Sequence, residues 1–580
     1  MKHLGLLISL IMIVSLLAAC ATPTPEIVKE IVTQVVEVEK EVTKIVAGTP
    51  VVEKVIETKV VEKEVTRVVE VEKVVTATPE PKEPVVVRLA IPSDPMTLEP
   101  GLFLSLYTSE ISLNLHAGLV TYAADGSISP LVAKSWEISG DGLTYTFYLQ
   151  DNVKFHNGRK LVANDFKVGW ARYLTPEVQS NVGPDYLGAI VGAQDVIDSN
   201  TTDLAGVEAV DNYTLKVTLS EPDPGFLMRL ATTPTWVVPA ESVVEGKPEW
   251  VDKPVGAGPF KFVEWKRNER IVLEAFDDFF LGRPQIDRIE YYIVPDATTE
   301  VAMYEGGELD IAAVPHSELD RLQADPDLSE ELHYWVRARM IALIMNYDLV
   351  PEFGDLRVRQ ALAHTINRQQ LAEVVMRNAV MAAEGLVPPG IPSYDPNLKG
   401  AEYDPEKAQQ LLAEAGYPEG AGFPSLGISA YGENIGASEA VAAMLNTNLG
   451  IDIVVNQMER GEMVSAMWAK DELPLLMKGW TADFPSAEVW LHQWLRCGVE
   501  SNFANYCNPE YDEIVDQAMA TSDPQEQTRL WSQVERIAMD DMAMIPLMYN
   551  RYIYLVKPYV QNFRCNFGGP MGLWDVKAEK

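Results

Sequence analysis

The 580-residue sequence is poor in cysteine and histidine and has no basic cluster, and each scarcity removes a class of function. The four cysteines are Cys20, Cys497, Cys507 and Cys565, with no C-x-x-C pair among them. Zinc-knuckle and thioredoxin-type sites therefore have no ligands to build on. Seven histidines are scattered, and H-E-x-x-H, G-x-S-x-G and G-x-x-x-x-G-K-[ST] are all missing. The usual signatures of zinc proteases, serine hydrolases and P-loop enzymes are thus absent. His156 and His364 read as hydrogen-bonded structural side chains. Acidic pairs such as Asp277-Asp278 and Asp540-Asp541 carry little information in so acidic a chain. The expectation is no catalytic residue, no metal site, no cofactor and no enzyme activity. With 47 Lys and Arg against 84 Asp and Glu, the net charge is −37. Such a surface repels nucleic-acid phosphates, so nucleic acid is excluded as a partner, while neutral or cationic ligands are favoured.

Long hydrophobic runs are also lacking, with one exception. "MKHLGLLISLIMIVSLLAAC" places Lys2 before an apolar run from Leu4 to Ala19. That run is short for a membrane-spanning helix and fits a secretory signal over residues 1–19. Leu17-Ala18-Ala19-Cys20 resembles a bacterial lipobox. By that resemblance the signal is removed and Cys20 becomes a lipidated N-terminus. The body is then expected outside the cytoplasm, on a membrane surface.

Residues 21–84 contain no aromatic residue and consist largely of Val, Glu, Lys and Thr in near-repeats. Val28, Ile31, Val35, Val38, Val42 and Ile45 fall on an a/d heptad seam. Two readings stay open: a helical, self-associating stalk, or a largely disordered tether favoured by the weak helix propensity of Val and Thr. Beyond the stalk, Cys497 and Cys507 are close enough in sequence to staple one loop in an oxidising compartment, which leaves Cys565 over.

At this length two or more domains are expected. Alternating β-branched runs ("PVVVRLAIP", "LTYTFYLQ", "NYTLKVTL", "RIEYYIVP") read as strands, and "GPFKFVEWKRNERIVLEAF" as a hairpin. Helical spacing marks "LVANDFKVGWARYL", "TTEVAMYEGGELD", "DLRVRQALAHTINRQQLAEVVM", "DPEKAQQLLAEAGY" and two helices from Pro509 to Met542. Asn164 reads as the cap of the first of these, with Asp165 complementing the helix dipole. The mixture predicts a large α/β body.

One stretch raises a sharper question. In "GWTADFPSAEVW", Asp483 stands among Trp480, Phe484 and Trp490. A lone carboxylate is costly to bury among such neighbours. Capping a short helix near Pro485 and sitting on a solvated loop are the two structural explanations.

Six segments occur in a fixed order: "IPSDPMTLEP", "LVAKSWEISGDGLTYTFYLQDNVKFHNGRKLVANDFKVGWAR", "VGAGPFKFVEWKRNERIVLEAF", "YEGGELDIA", "LRVRQALAHTINRQQL" and "GWTADFPSAEVW". Together they resemble the family 5 extracellular solute-binding proteins of bacterial ABC importers, the oligopeptide- and dipeptide-binding family, over about residues 85–575. The resemblance implies a two-lobed periplasmic-binding-protein-like fold of type II, of the large peptide-binding class. Lobe 1 would span 85–332, with an inserted subdomain at about 120–250. Lobe 2 would span 333–545, and 546–580 would return to lobe 1. It implies that a peptide is captured between the lobes and passed to ABC permease subunits. It also implies that Asp483 binds the peptide ammonium, with Trp480 and Phe484 beside it. Some peptide-binding members carry an Arg three residues before this Trp; Met477 stands there instead, which puts carboxylate recognition by that position in doubt. The same fold binding an oligosaccharide, and a surface sensing or adhesion protein, are the alternative functions.

Overall fold

The computed structural model describes residues 26–46, 49–69, 83–102, 105–243, 253–469, 473–482, 484–521 and 523–579. Residues 1–19 and Cys20 lie outside the described residues, as does Asp483. The chain divides into two compact units, 1–83 and 84–580.

In the first unit, the strands Glu26–Val46 and Thr49–Val69 pair antiparallel in one unbroken register, from Glu26 opposite Val69 to Val46 opposite Thr49. This corrects both readings of the stalk. The residues that fit the heptad are all Val or Ile. β-branched side chains are stiff in a helix and comfortable on a pleated surface. The Lys54–Glu39 ion pair, at 3.3 Å, is exposed on both sides and adds little.

The second unit is built on three principal sheets. One is four-stranded, in the order Phe260–Lys266, Arg270–Ala275, Arg288–Ile293, Val86–Ile91. Its first two strands are the hairpin expected at "GPFKFVEWKRNERIVLEAF". A second antiparallel sheet, in the order Ala133–Ile138, Thr144–Leu149, Thr214–Thr218, Val207–Asp211, carries the helix Ala163–Leu174. Asn164 is not the cap of that helix. The N-cap is Val162, whose N–H donates to the Asp165 carboxylate at 2.9 Å, and Arg159 holds the same carboxylate at 2.6 Å. Asp165 can reach back to the open N–H one turn earlier, so it takes the capping role.

The third sheet positions the site. Its main path runs Ile311–Ala313, Ile545–Val556, Leu332–Met345, Leu475–Thr481, Leu426–Ala430, Ile453–Gln457. The two long central strands are antiparallel, and their register shifts twice, between Val336 and Met340 and again between Ile341 and Ala342. Val336 pairs with Arg551, but the next partners are Met340 and Tyr549. Residues 337–339 therefore leave the ladder. The Ala338 N–H turns to the Phe567 carbonyl at 3.1 Å, and its carbonyl accepts from Ala482 N–H at 2.8 Å. A bulge of this kind bends a strand and re-aims its side chains.

Strand alternation then sorts the core. Ala338, Met340, Ala342 and Ile344 face one apolar cluster with Trp490 and Trp494, whereas Ile341, Leu343 and Met345 face another with Leu362, Val441 and Leu445.

Candidate functional site

A cavity of about 400 Å³ opens where five parts of the second unit meet. The helix Leu106–Leu115 supplies Ser109 and Glu110. The 231–236 segment supplies Thr232, Thr233 and Trp236. The bulged strand supplies Arg337, and the end of the Leu475–Thr481 strand supplies Thr481 and then Ala482. Tyr552, Phe567 and Trp574 close the wall from the C-terminal segment. The volume falls in the range of small-molecule sites, and the mix of aromatic walls with few polar groups is typical of them.

Local chemistry fixes the helix. Ser105 caps it by accepting from Thr108 N–H at 3.1 Å. Glu110 follows one turn later on the cavity side and is 7% exposed. Burial pushes its carboxyl up to about 8, and the Glu300 carboxylate adds to the shift. Glu300 itself is raised to about 7 by burial, opposed by the Ala313 N–H that donates to it at 2.6 Å. The two acids are far apart in sequence, and packing alone brings them together. His116, also on the wall, is held near pKa 4 by burial. Its Nε2 sits 3.0 Å from the Leu98 carbonyl, and its Nδ1 has no partner among the described residues.

Arg337 is the cation of the wall. It is half-buried, and its guanidinium lies 5.4 Å from the centroid of the Tyr552 ring. Among the described residues its one hydrogen bond goes from Nη2 to Thr481 Oγ1 at 3.5 Å, and Nε is buried without a partner. Arg339, two residues on, is paired with Glu433 at 2.8 Å.

Asp483 follows directly on Ala482, outside the described residues. Trp480 and Phe484 are half-buried and do not line this cavity. Trp480 stands edge-to-face with Trp494 at 6.0 Å, on the side of the strand that faces the core. The Lys478 ammonium lies over its ring at 4.5 Å. Cys497 and Cys507 are joined by a disulfide with Cα atoms 4.7 Å apart, and Cys565 is free and buried. Sequence reasoning did not single out Glu110, Glu300, Lys478 or Arg337. The one legible signal was in "VRARMIALIM", where two arginines alternate through an otherwise apolar strand.

An α/β body of this architecture, with a cavity where distant segments meet, is a two-lobed periplasmic-type binding protein. Its sequence matches the family described as "Bacterial extracellular solute-binding proteins, family 5 Middle" over residues 127–502, and the chain belongs to that family. It is similar to Heme-binding protein A of Haemophilus influenzae, at 30% identity over 75% of this chain and 81% of that protein. It is also similar to Di/tripeptide-binding protein 2 of Pseudomonas aeruginosa, at 28% identity over 86% of this chain and 95% of that one. Among solved structures, the unliganded open form of the periplasmic murein tripeptide binding protein MppA aligns with a TM-score of 0.77 at 24% identity, covering 86% of this chain and 98% of that one. Haemophilus influenzae OppA in complex with RPPGFSPFR aligns with a TM-score of 0.62 at 25% identity, covering 86% and 99%. In the described residues no helix is long and apolar enough to cross a membrane.

Proposed function

We propose that the chain is a membrane-anchored receptor that encloses a short peptide between two lobes and delivers it to an ABC importer. The observation that carries this reading is the place of Thr481 and Ala482. Both line the cavity, and they are the last two residues before Asp483. In sequence, the residue whose carboxylate the family resemblance assigns to the peptide ammonium comes next after these two wall residues. Trp480 and Phe484 flank it in sequence and would stiffen that corner. The name of the di/tripeptide-binding relative and the peptide bound to Haemophilus influenzae OppA support the same ligand class.

The lobes are proposed at 85–332 with 546–580, and at 333–545. The strands Leu332–Met345 and Ile545–Val556 begin at these limits and pair with each other, as crossing segments would. Ligand would favour closure because it touches both walls only in that state. Lipidation of Cys20 would hold the protein on the outer face of the membrane, with the paired strands as spacer.

Four calorimetric titrations test the site: wild type and Asp483→Asn, each with a free and an N-acetylated dipeptide. Each single change should weaken binding by about 2 kcal/mol or more, since each removes a charge-assisted hydrogen bond. The two together should fall short of the sum, because both delete one interaction. Equal wild-type affinity for free and acetylated peptide would refute the assignment. Tight binding of an uncharged oligosaccharide instead of peptide would replace the ligand class.

A further inference from the structure

We propose that Glu110 selects ligands that carry a cation: its carboxylate binds an ammonium or guanidinium group of the ligand, which for a short peptide is a basic side chain. The inference rests on the peptide reading for the identity of the ligand, and on the cavity itself for the charge it takes.

Three observations lead to it. The first is an unfilled acceptor. Among the described residues six acidic side chains are buried, and five of them have donors. Arg172 pairs with Glu99, Arg159 pairs with Asp165 at 2.6 Å, and the Tyr559 hydroxyl donates to Asp310 at 2.6 Å. The Ala313 N–H donates to Glu300 at 2.6 Å, and the Leu386 and Val387 N–H groups donate to Glu535 at 2.8 Å. Glu110 is the sixth. It is 7% exposed, and no donor among the described residues reaches its carboxyl. Buried polar groups are nearly always paired, and leaving one unpaired is costly.

The second is placement. Of the six, Glu110 is the one that lines the cavity. Its own backbone is fixed: the Glu110 carbonyl accepts from Asn114 Nδ2 at 3.0 Å, and the same amide donates to the Tyr291 hydroxyl at 2.9 Å. The unfilled acceptor thus stands on a held stretch of helix at the edge of a ligand-sized space.

The third is the electrostatic setting. The groups that face Glu110 are Glu300 on the helix Ala297–Glu305, Tyr291 on the strand Arg288–Ile293, Tyr554 on the strand Ile545–Val556, Cys565, and Tyr107 on its own helix. None of these is a cation. Arg337, the cation of the same wall, lies near Tyr107 and bonds to Thr481 rather than to Glu110. Burial and the Glu300 carboxylate keep the Glu110 proton in place up to about pH 8. A ligand cation that enters beside the carboxyl displaces this proton to solvent and takes its place, with a charge-assisted hydrogen bond to the carboxylate. The Tyr552 and Phe567 rings on the same wall suit a cation better than an anion.

The probes are the dipeptides Ala-Lys and Ala-norleucine, which share a carbon chain and differ in the terminal ammonium. They are titrated into wild type, Glu110→Gln and Glu110→Asp. At pH 8.5 wild type should prefer Ala-Lys by about 10- to 100-fold, the size of a charge-assisted pair. The preference should shrink at pH 6, where the carboxyl holds its proton. In Glu110→Gln the ratio should fall to about one or below at both pH values, and Glu110→Asp should keep part of it. Each ratio is read within one variant, so a general loss of stability does not mimic the result. No preference in wild type, a preference that is flat with pH, or one retained by Glu110→Gln overturns the inference while leaving peptide binding intact. If wild type binds neither dipeptide, the peptide reading fails. The inference is then decided by thermal shift at pH 8.5 in butylammonium chloride against sodium chloride of equal ionic strength. A butylammonium-specific rise present in wild type and lost in Glu110→Gln supports it, and equal shifts overturn it.

Discussion

The Lys478 ammonium lies 4.5 Å from the centroid of the Trp480 ring and 4.3 Å from that of Phe503. Its hydrogen-bond acceptor is the Met467 sulfur at 3.8 Å. Among the described residues no carboxylate pairs with it, and the residue is 7% exposed. Cation–π attraction offsets only part of the desolvation, so burial pushes the amine down to about 7.

Replacing Lys478 with Met should therefore stabilise the protein. The folded-state pKa lies below the unfolded one, so the unfolded chain binds more protons between about pH 7 and 10.5. Wild-type stability contributed by this group rises with pH across that window, and the penalty is complete below it. Lys478→Met should gain about 1–3 kcal/mol at pH 6, the range found when buried charges give way to apolar side chains. The gain should shrink toward zero at pH 10.5. Urea unfolding at both pH values measures it, and a loss at pH 6 would refute the picture.

The Glu110 and Glu300 pair gives the opposite slope. Both carboxyls are raised from 4.5, to about 8 and about 7. The folded protein keeps these protons while the unfolded chain releases them. The stability contributed by these groups is present below pH 4.5 and is lost as pH rises to about 8. Glu110→Gln removes one of the two groups. At pH 8.5 the variant should be more stable than wild type by about 1–3 kcal/mol, and at pH 4.5 the two should nearly coincide. Parallel pH profiles of the melting temperature would contradict this.

The Cys497–Cys507 bridge closes a loop of sequence separation 10. The loop is tied at both ends to the helix Pro509–Ala520: Asn508 caps it by accepting from Glu510 N–H at 3.0 Å, and Arg496 pairs with Asp516 at 2.8 Å. Removing both cysteines as alanines should cost about 2–3 kcal/mol, the loop-closure entropy of so short a ring. Peptide mapping without reductant should recover the linked pair with Cys565 free. A link to Cys565 would overturn the pairing.

Lipidation at Cys20 should make membrane association depend on that thiol. Cys20→Ser is expected in the soluble fraction after expression in a bacterial host, with wild type in the membrane fraction. A variant that stays with membranes through a high-salt wash would refute the anchor.

The body was largely legible in the sequence because its signals are local. The strands in "LTYTFYLQ" and "NYTLKVTL" and the hairpin at 260–275 follow from residues a few positions apart. The stalk misled because a heptad seam pointed to a helix while the β-branched side chains that fill it favour a strand, and cross-strand pairing decides between them. The polar wall of the cavity was not legible. Glu110 owes its raised carboxyl to burial and, beyond that, to Glu300, and beside Arg337 the Ala338 N–H leaves the ladder for the Phe567 carbonyl. Such relations span hundreds of residues and leave no trace in spacing.

The interrupted ladder has a mechanical consequence. Two laths glued along their length resist bending, and they fold most easily where the glue is missing. On the proposed division, the Leu332–Met345 and Ile545–Val556 strands are the laths that join the lobes, and residues 337–339 are the gap. Arg337 then sits on the flexure rather than on either arm. On that division, a bend at this gap would turn one lobe against the other with few ladder hydrogen bonds to disturb.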